Sequence, residues 1–291
     1  MLLAVPNFSE GRDGEEIAAI AAELGEAATV LDIHSDAVHN RSVVTACGRP
    51  GELAGALARL ARACVERIDV GAHEGAHPRI GALDVCPLVF ASDADREPAR
   101  EEALAAAEAI AALEVPVFLY GELASDPARS ERSYFRRGGP AELGRRLRSG
   151  ELRPDLGPTA PHPSAGATLV SARRPLAAFN LVLDTGDVEI ARQVAAELRE
   201  SGGGPTGVRA IGLDLDGRAQ VSVNVHDPIA VPLAAVIERV RALAAPRGAR
   251  PVSGELIGLI PEAGARDLPD DVPIFGFNPA LHVIERRLRA V

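Results

Sequence analysis

The chain has 291 residues, 47% of them hydrophobic and 25% charged, which fits a soluble globular protein with one large core or two moderate ones. A net charge of −10 argues against a nucleic-acid binder at the level of the whole chain, although a local basic funnel for an anionic ligand remains compatible with it. No apolar stretch approaches a membrane span, and the N-terminal run is too short and lacks the basic start of a secretion signal, so a cytoplasmic location is expected.

Leu2 to Phe8 reads as a core strand that turns out at Ser9. Gly14 to Leu24 carries Ile17, Ile20, Ala21 and Leu24 at helical spacing, with Gly25 as the stop. Thr29 to Ile33 is a strand, and His34, Ser35, Asp36, His39, Asn40 and Arg41 form a polar turn before a strand from Ser42 to Ala46. An Asx-type turn explains His34 and Asp36 as well as a binding role does. Pro50 to Arg67 is a helix with Leu53, Leu57, Leu60, Ala61 and Cys64 on one stripe. Cys47, Cys64 and Cys86 are odd in number and stand in apolar surroundings, which points to buried free thiols rather than disulfides or a zinc site.

The stretch from Asp69 to Phe90 concentrates titratable side chains among glycines and a proline, and leads into a buried strand from Val85 to Ala91. His73-Glu74-Gly75-Ala76-His77 matches the zinc-hydrolase pattern H-E-x-x-H. That pattern needs a helix so that both imidazoles face one metal. Gly71 and Gly75 each weaken a helix by about 1 kcal/mol, and Pro78 pushes His77 out of the α region. A loop is therefore expected, with no metal.

Ala99 to Leu113 is an Ala-rich helix and Pro116 to Tyr120 a strand. Residues 128–149 are rich in arginine, and an exposed helix with a solvated face is expected. Residues 153–165 hold many Pro and Gly and read as a loop. The earlier order then repeats: strand Phe179 to Leu183, helix Asp187 to Leu198, a hairpin of Val208 to Leu215 and Gln220 to Val225 around Asp216-Gly217, helix Val231 to Ala244, and strand Glu255 to Ile260. A final helix is expected from about Asn278. The fold expected is α+β, with two ferredoxin-like β-α-β-β-α-β subdomains over 1–170 and 171–291.

His73 to Pro87 spells H-x-G-x-H-P-R-x-G-A-x-D-V-x-P and resembles the signature of the glutamate formimidoyltransferases. Val5 to Gly11, Leu119 to Glu122, Gly166 to Asn180 and Gly254 to Pro261 resemble further segments of the family, so the likeness spans almost the whole chain. The resemblance implies an enzyme that moves a formimino group between N-formiminoglutamate and tetrahydrofolate, its co-substrate, with folate in a cleft between the subdomains. It implies that His77 is the catalytic acid–base, in a reaction that uses no metal. The expected titration lies roughly between pH 6 and 7.5. It further implies that Asn7 and Ser9 lie beside folate and that His73 orients His77 or contacts folate. Asp84 is expected to anchor the loop or to orient a histidine. His34 could enter the same cleft, and Gly166 would permit close backbone approach. By motif position, Arg41, Arg79, Arg173 and Arg174 are candidates for substrate carboxylates. Small-molecule substrates, no nucleic acid, no membrane and a homodimer are the partners implied. Ser171, Leu88 and Phe90 depart from the family pattern beside the motifs and bear on acceptor preference. The rival readings are a folate-binding module without turnover and the zinc hydrolase.

Overall fold

The structure is a computed structural model that describes residues 1–290, apart from the side chain of Glu26. The chain divides into two compact units, Met1–Arg173 and Arg174–Val291. Among the described residues no helix is long and apolar enough to cross a membrane.

The first unit runs β1 (Leu2–Ala4), β2 (Asn7–Phe8), α1 (Gly14–Ala22), β3 (Thr29–Asp36), β4 (Arg41–Gly48), α2 (Leu53–Arg67), β5 (Leu83–Val89), α3 (Arg96–Ala111), β6 (Val117–Leu119), α4 (Arg132–Arg136), α5 (Gly139–Arg148) and β7 (Thr168–Arg173). The single opening strand expected from Leu2 to Phe8 is interrupted at Pro6, but both pieces pair antiparallel with β4 and β5. A register shift follows at Asn7 and Phe8. The seven-stranded sheet is ordered β3, β4, β1 with β2, β5, β7, β6. Its first four positions carry the expected β-α-β-β-α-β order, and it is extended by β7, parallel to β5, and by β6, parallel to β7.

Every residue of β5 is buried because both faces of the sheet are covered there. Cys86 and Leu88 pack in the core beneath α1, α2 and α3, whereas Val85 joins Phe118, Phe135, Leu143 and Leu169 beneath α4 and α5. Two-sided burial is the reason this stretch reads as an unbroken apolar run. The three cysteines form no disulfide among the described residues and are buried. Burial pushes the Cys86 thiol up to about 12 and raises that of Cys64 as well, which keeps both protonated at neutral pH.

The arginine-rich stretch of residues 128–149 departs from the solvated face expected of it. It forms two helices that turn Phe135, Leu143 and Leu147 into the core. Arg146 is only 1% exposed and donates to the Tyr134 carbonyl at 2.8 Å. Apolar residues interleaved with the arginines carry part of each helix inward, and the arginine stems follow.

No side chain of α2 itself caps its N-terminus. Glu102 of α3 does so instead, at 5% exposure, accepting from the Ala54 N–H at 2.6 Å and from the Gly51 N–H. Its carboxylate satisfies orphan donors at the positive end of the helix dipole. We expect Glu102→Ala to lower the unfolding free energy by about 1.5–3 kcal/mol, the range for a hydrogen bond to a charged group. Urea denaturation checks this, and an unshifted midpoint would count against the cap.

The second unit runs β8 (Ala177–Leu183), α6 (Val188–Leu198), β9 (Val208–Leu215), β10 (Arg218–Val225), α7 (Leu233–Ala244), β11 (Pro251–Ile257), β12 (Ile274–Phe275), α8 (Pro279–His282) and α9 (Ile284–Leu288). Its five-stranded sheet is ordered β12, β11, β8, β10, β9, and only the β11–β12 pair is parallel. The first six elements again follow β-α-β-β-α-β. Asp216 and Gly217 both take positive φ (49° and 79°), as a two-residue hairpin turn demands. Phe179, Leu181, Val221 and Val223 of the sheet share a core with Val194, Leu198, Ile237 and Val240 of α6 and α7. The single closing helix expected from Asn278 is two short ones, broken where Val283 takes an extended conformation.

Candidate active site

Three strand ends meet in the first unit. β2 lies between β4 and β5, so Asn7, Arg41 and Asp84 stand near one another at one end of adjacent strands. Arg41 joins them: its Nη1 donates to Asp84 Oδ2 at 3.0 Å and to His77 Nδ1 at 2.9 Å, and its Nη2 donates to Asn7 Oδ1. Asp84, whose side chain is 1% exposed, also accepts from Arg136 Nη2, and its Oδ1 accepts from the Ile80 N–H at 2.8 Å. One carboxylate thus ties two guanidiniums to the loop that carries His77, the anchoring expected of it.

These charges decide the protonation of the site. Burial opposes ionisation of Asp84, but Arg136, Arg41 and the Ile80 N–H outweigh it and hold the carboxyl below its ordinary value. Burial lowers Arg41 to about 9, with Asp84 working against the shift and Arg136 and Arg132 adding to it, so Arg41 stays a cation at neutral pH. Burial, then the charges of Arg41, Arg136, His39 and Arg132, hold His77 well below the ordinary histidine value. The ring is therefore neutral at pH 7.

A guanidinium can only donate, so the contact with Arg41 requires a lone pair on His77 Nδ1 and a proton on Nε2. The Pro78 carbonyl lies 2.8 Å from the same Nδ1 and would accept from it in the other tautomer. The two contacts are mutually exclusive, and the position of Arg41 selects between them.

The loop is laced to the turn between β3 and β4. Ala76 N–H donates to the Val38 carbonyl at 3.2 Å and Asn40 Nδ2 to the Glu74 carbonyl at 3.0 Å. A Cβ on Gly75 would lie 2.3 Å from the His39 carbonyl oxygen, so only glycine lets the segments touch. His73 Nε2 donates to the Asn40 carbonyl at 2.8 Å, and Arg79 donates to the carbonyls of His73 and Gly75. Residues 73–77 contain no helical turn, and the two histidines serve different partners, so the arrangement required by H-E-x-x-H is not formed. Asp36 is both the Asx turn and an orienting group. Its Oδ1 accepts from the Val38 and His39 N–H groups, each at 2.8 Å, and its Oδ2 lies 2.6 Å from His39 Nδ1. The His39 ring stands edge-on to His77 at 5.9 Å.

Asn7, Arg41 and His77 are therefore brought together, with Asp84. Ser9 is buried, its hydroxyl donating to the Gly81 carbonyl at 2.8 Å, and supports the loop from below. His34 lies within β3 opposite Val43, because the strand continues two residues beyond the start of the expected turn. Gly166 takes φ +69° and bridges to Gly81, where a Cβ would lie 2.2 Å from the Ile80 carbonyl oxygen. Arg173 closes β7 and hydrogen-bonds the Tyr120 hydroxyl. Burial lowers Arg173 to about 10, Tyr120 opposing and Arg132 adding to the shift. Arg174 is exposed at the start of the second unit. A separate cavity of about 440 Å³ runs along α5 past Pro140, Arg148 and His162, and none of the titratable groups of the His77 cluster lines it.

Arg132, Arg136 and Tyr120 were not among the residues expected at the site. Arg132 and Arg136 are i and i+4 on α4, hence on one face, while Phe135 anchors the helix in the core. The spacing R-x-x-x-R beside an aromatic pair is the signal the sequence carries for them.

A neutral imidazole held by a guanidinium, within a field of further guanidiniums, can exchange protons with a ligand whose negative charge the arginines offset. Comparison with known proteins gives the class. Residues 1–173 match the formiminotransferase domain, N-terminal subdomain, and residues 178–266 match the formiminotransferase domain. The chain belongs to the formiminotransferase family and is a transferase. It is 37% identical over 271 residues to a glutamate formimidoyltransferase of Streptococcus pyogenes serotype M1, covering 91% of each chain. It is 34% identical to a glutamate formimidoyltransferase of Thermoplasma acidophilum, over 98% of this chain and 96% of the relative. Against the formimidoyltransferase-cyclodeaminase of Sus scrofa the identity is 38%, over 88% of this chain but only 49% of that longer protein.

Proposed function

We propose that the protein transfers the formimino group of N-formimino-L-glutamate to N5 of tetrahydrofolate, a step of histidine breakdown, with His77 as the acid–base. N5 attacks the amidine carbon and forms a new C–N bond. The N5 proton leaves to His77, the tetrahedral intermediate collapses, and the bond from carbon to the glutamate nitrogen breaks as that nitrogen takes a proton back from His77. One bond forms, one breaks and one proton is relayed, so neither a nucleophilic side chain nor a metal enters the route.

The observation that carries the reading is the neutral His77 imidazole held by Arg41 in the His-Pro-Arg loop. A base must begin unprotonated, and a histidine kept neutral by neighbouring cations meets that need. Both substrates are anionic, which suits the surplus of guanidinium around it. An anion that draws Arg41 away would let Nδ1 donate to Pro78 and leave Nε2 as the accepting nitrogen. The names of the relatives, and their coverage of nearly the whole chain, support glutamate as the amino acid. Incubation of purified protein with tetrahydrofolate and N-formiminoglutamate tests the proposal. Formation of 5-formiminotetrahydrofolate and glutamate in equal amounts is expected. Folate binding without turnover would favour a binding module instead.

A further inference from the structure

The cluster around Asp84 holds more positive charge than its own carboxylate can offset. Arg41 is engaged with Asp84, His77 and Asn7. Arg136 reaches the same Asp84 oxygen with Nη2, but its Nε is buried without a hydrogen-bond partner, on a side chain 11% exposed. Arg132, one turn earlier on the same face of α4, is half-buried and makes no hydrogen bond or ion pair among the described residues. The nearby Asp36 is engaged by His39. Arg41 and Arg136 therefore share one carboxylate where water is largely excluded, and Arg132 adds a third guanidinium set against the more distant Asp84 and Glu131 carboxylates. A buried guanidinium N–H without an acceptor is costly, and that of Arg136 Nε, with Arg132 beside it, points to an anion supplied in the working state.

We propose that Arg132 and Arg136 bind the α-carboxylate of the amino-acid substrate, and that this contact seats the reacting nitrogen beside His77. The inference rests on the functional reading above for the kind of substrate. Its geometry is that of the contacts: Arg136 and Arg41 meet on one Asp84 oxygen, and the same Arg41 Nη1 lies 2.9 Å from His77. A carboxylate bound next to Arg136 is thus close to the imidazole. In an N-formimino amino acid the α-carboxylate is attached to the carbon that bears the reacting nitrogen, whereas the side-chain carboxylate stands at the far end of the chain. Only the former can reach the arginines while the nitrogen stays within reach of His77. The paired guanidiniums of an i, i+4 couple suit a planar carboxylate. The contact is shared by every α-amino acid, so selection for glutamate must come from other residues.

Binding titrations of L-glutamate, its α-amide and its side-chain amide test this on the parent, Arg132→Gln and Arg136→Gln. The parent should bind the α-amide about tenfold to a hundredfold more weakly than glutamate, the value of a charged hydrogen bond. Each variant should lose a similar factor for glutamate and should no longer distinguish it from the α-amide. The penalty for the side-chain amide should persist. Variants that keep the parental preference for glutamate over its α-amide would overturn the proposal, and so would loss of discrimination against the side-chain amide alone. Thermal unfolding separates a binding role from a structural one. Arg132 makes no hydrogen bond or ion pair among the described residues, so Arg132→Gln should melt at or above the parental temperature and should gain less from added glutamate. A large drop in melting temperature would mark it as structural and overturn its assignment. Because these readouts need no turnover, glutamate binding with intact α-carboxylate discrimination but no formimino transfer would count against the functional reading alone.

Discussion

Replacing His77 with alanine is expected to lower turnover by about 10²–10⁴-fold, the usual effect of removing a positioned acid–base group, while the fold and folate binding survive. His77 is suited to that role by its surroundings rather than by its ordinary basicity. Burial comes first, and the charges of Arg41, Arg136, His39 and Arg132 add to it, so protonation is delayed to pH values below the usual histidine range. A titration between roughly pH 6 and 7.5, as expected of a lightly perturbed histidine, is therefore displaced toward acid in the free protein. With His77 as the proposed base the active form is the neutral ring, so activity should persist as pH falls from neutrality and be lost only when pH passes the lowered His77 value. Anionic substrates should offset part of the cationic field and raise that value in the complex. The acid limb of kcat/KM, which reports the free enzyme, should therefore lie at lower pH than the acid limb of kcat. A folded His77→Ala protein with near-parental turnover would remove His77 from the mechanism and turn attention to His39 or His34.

Loss of the Asp84 carboxylate should be the most damaging single change to stability in the site. Asp84→Ala leaves Arg41 and Arg136 facing each other with no counter-charge and deprives the Ile80 N–H of its acceptor. Breaking a buried ion pair by removing one partner costs about 3–5 kcal/mol, because the remaining charge is stranded. Asp84→Asn keeps an acceptor for Ile80 but loses the charge, and should fall between the parent and the alanine variant. The folded protein holds the Asp84 carboxyl below its ordinary value. Its contribution is therefore present above the unfolded-state value and is lost as pH falls through the lower folded-state value. Urea denaturation across that acid range checks both points. An alanine variant within about 1 kcal/mol of the parent would mean that water reaches the arginines freely.

Local chemistry made the order of elements legible. The helix faces, the Asp216-Gly217 hairpin and the unbroken apolar run of β5 follow from spacing and turn residues that need no knowledge of distant contacts. The same holds for the loop at residues 73–77, since Gly75 and Pro78 bar the helix on which a zinc reading depends. The departures lie where packing overrides local pattern. The parallel strands β6 and β7 extend the first sheet, and α4 and α5 cover its second face where solvated arginines were expected.

By itself, the sequence determined that His77 and several arginines sit on loops, and Asp84 at the start of a buried strand, in a two-part α+β chain. Strand register and helix packing alone decided which of those arginines meet the histidine. Arg41 and Arg136 reach Asp84 across 43 and 52 residues of chain, while Arg79, two residues from His77, turns back onto its own loop's carbonyls. A guanidinium at the end of a long stem can find any acceptor within its reach, and which acceptors lie there is set by the neighbouring elements, not by its place in the chain.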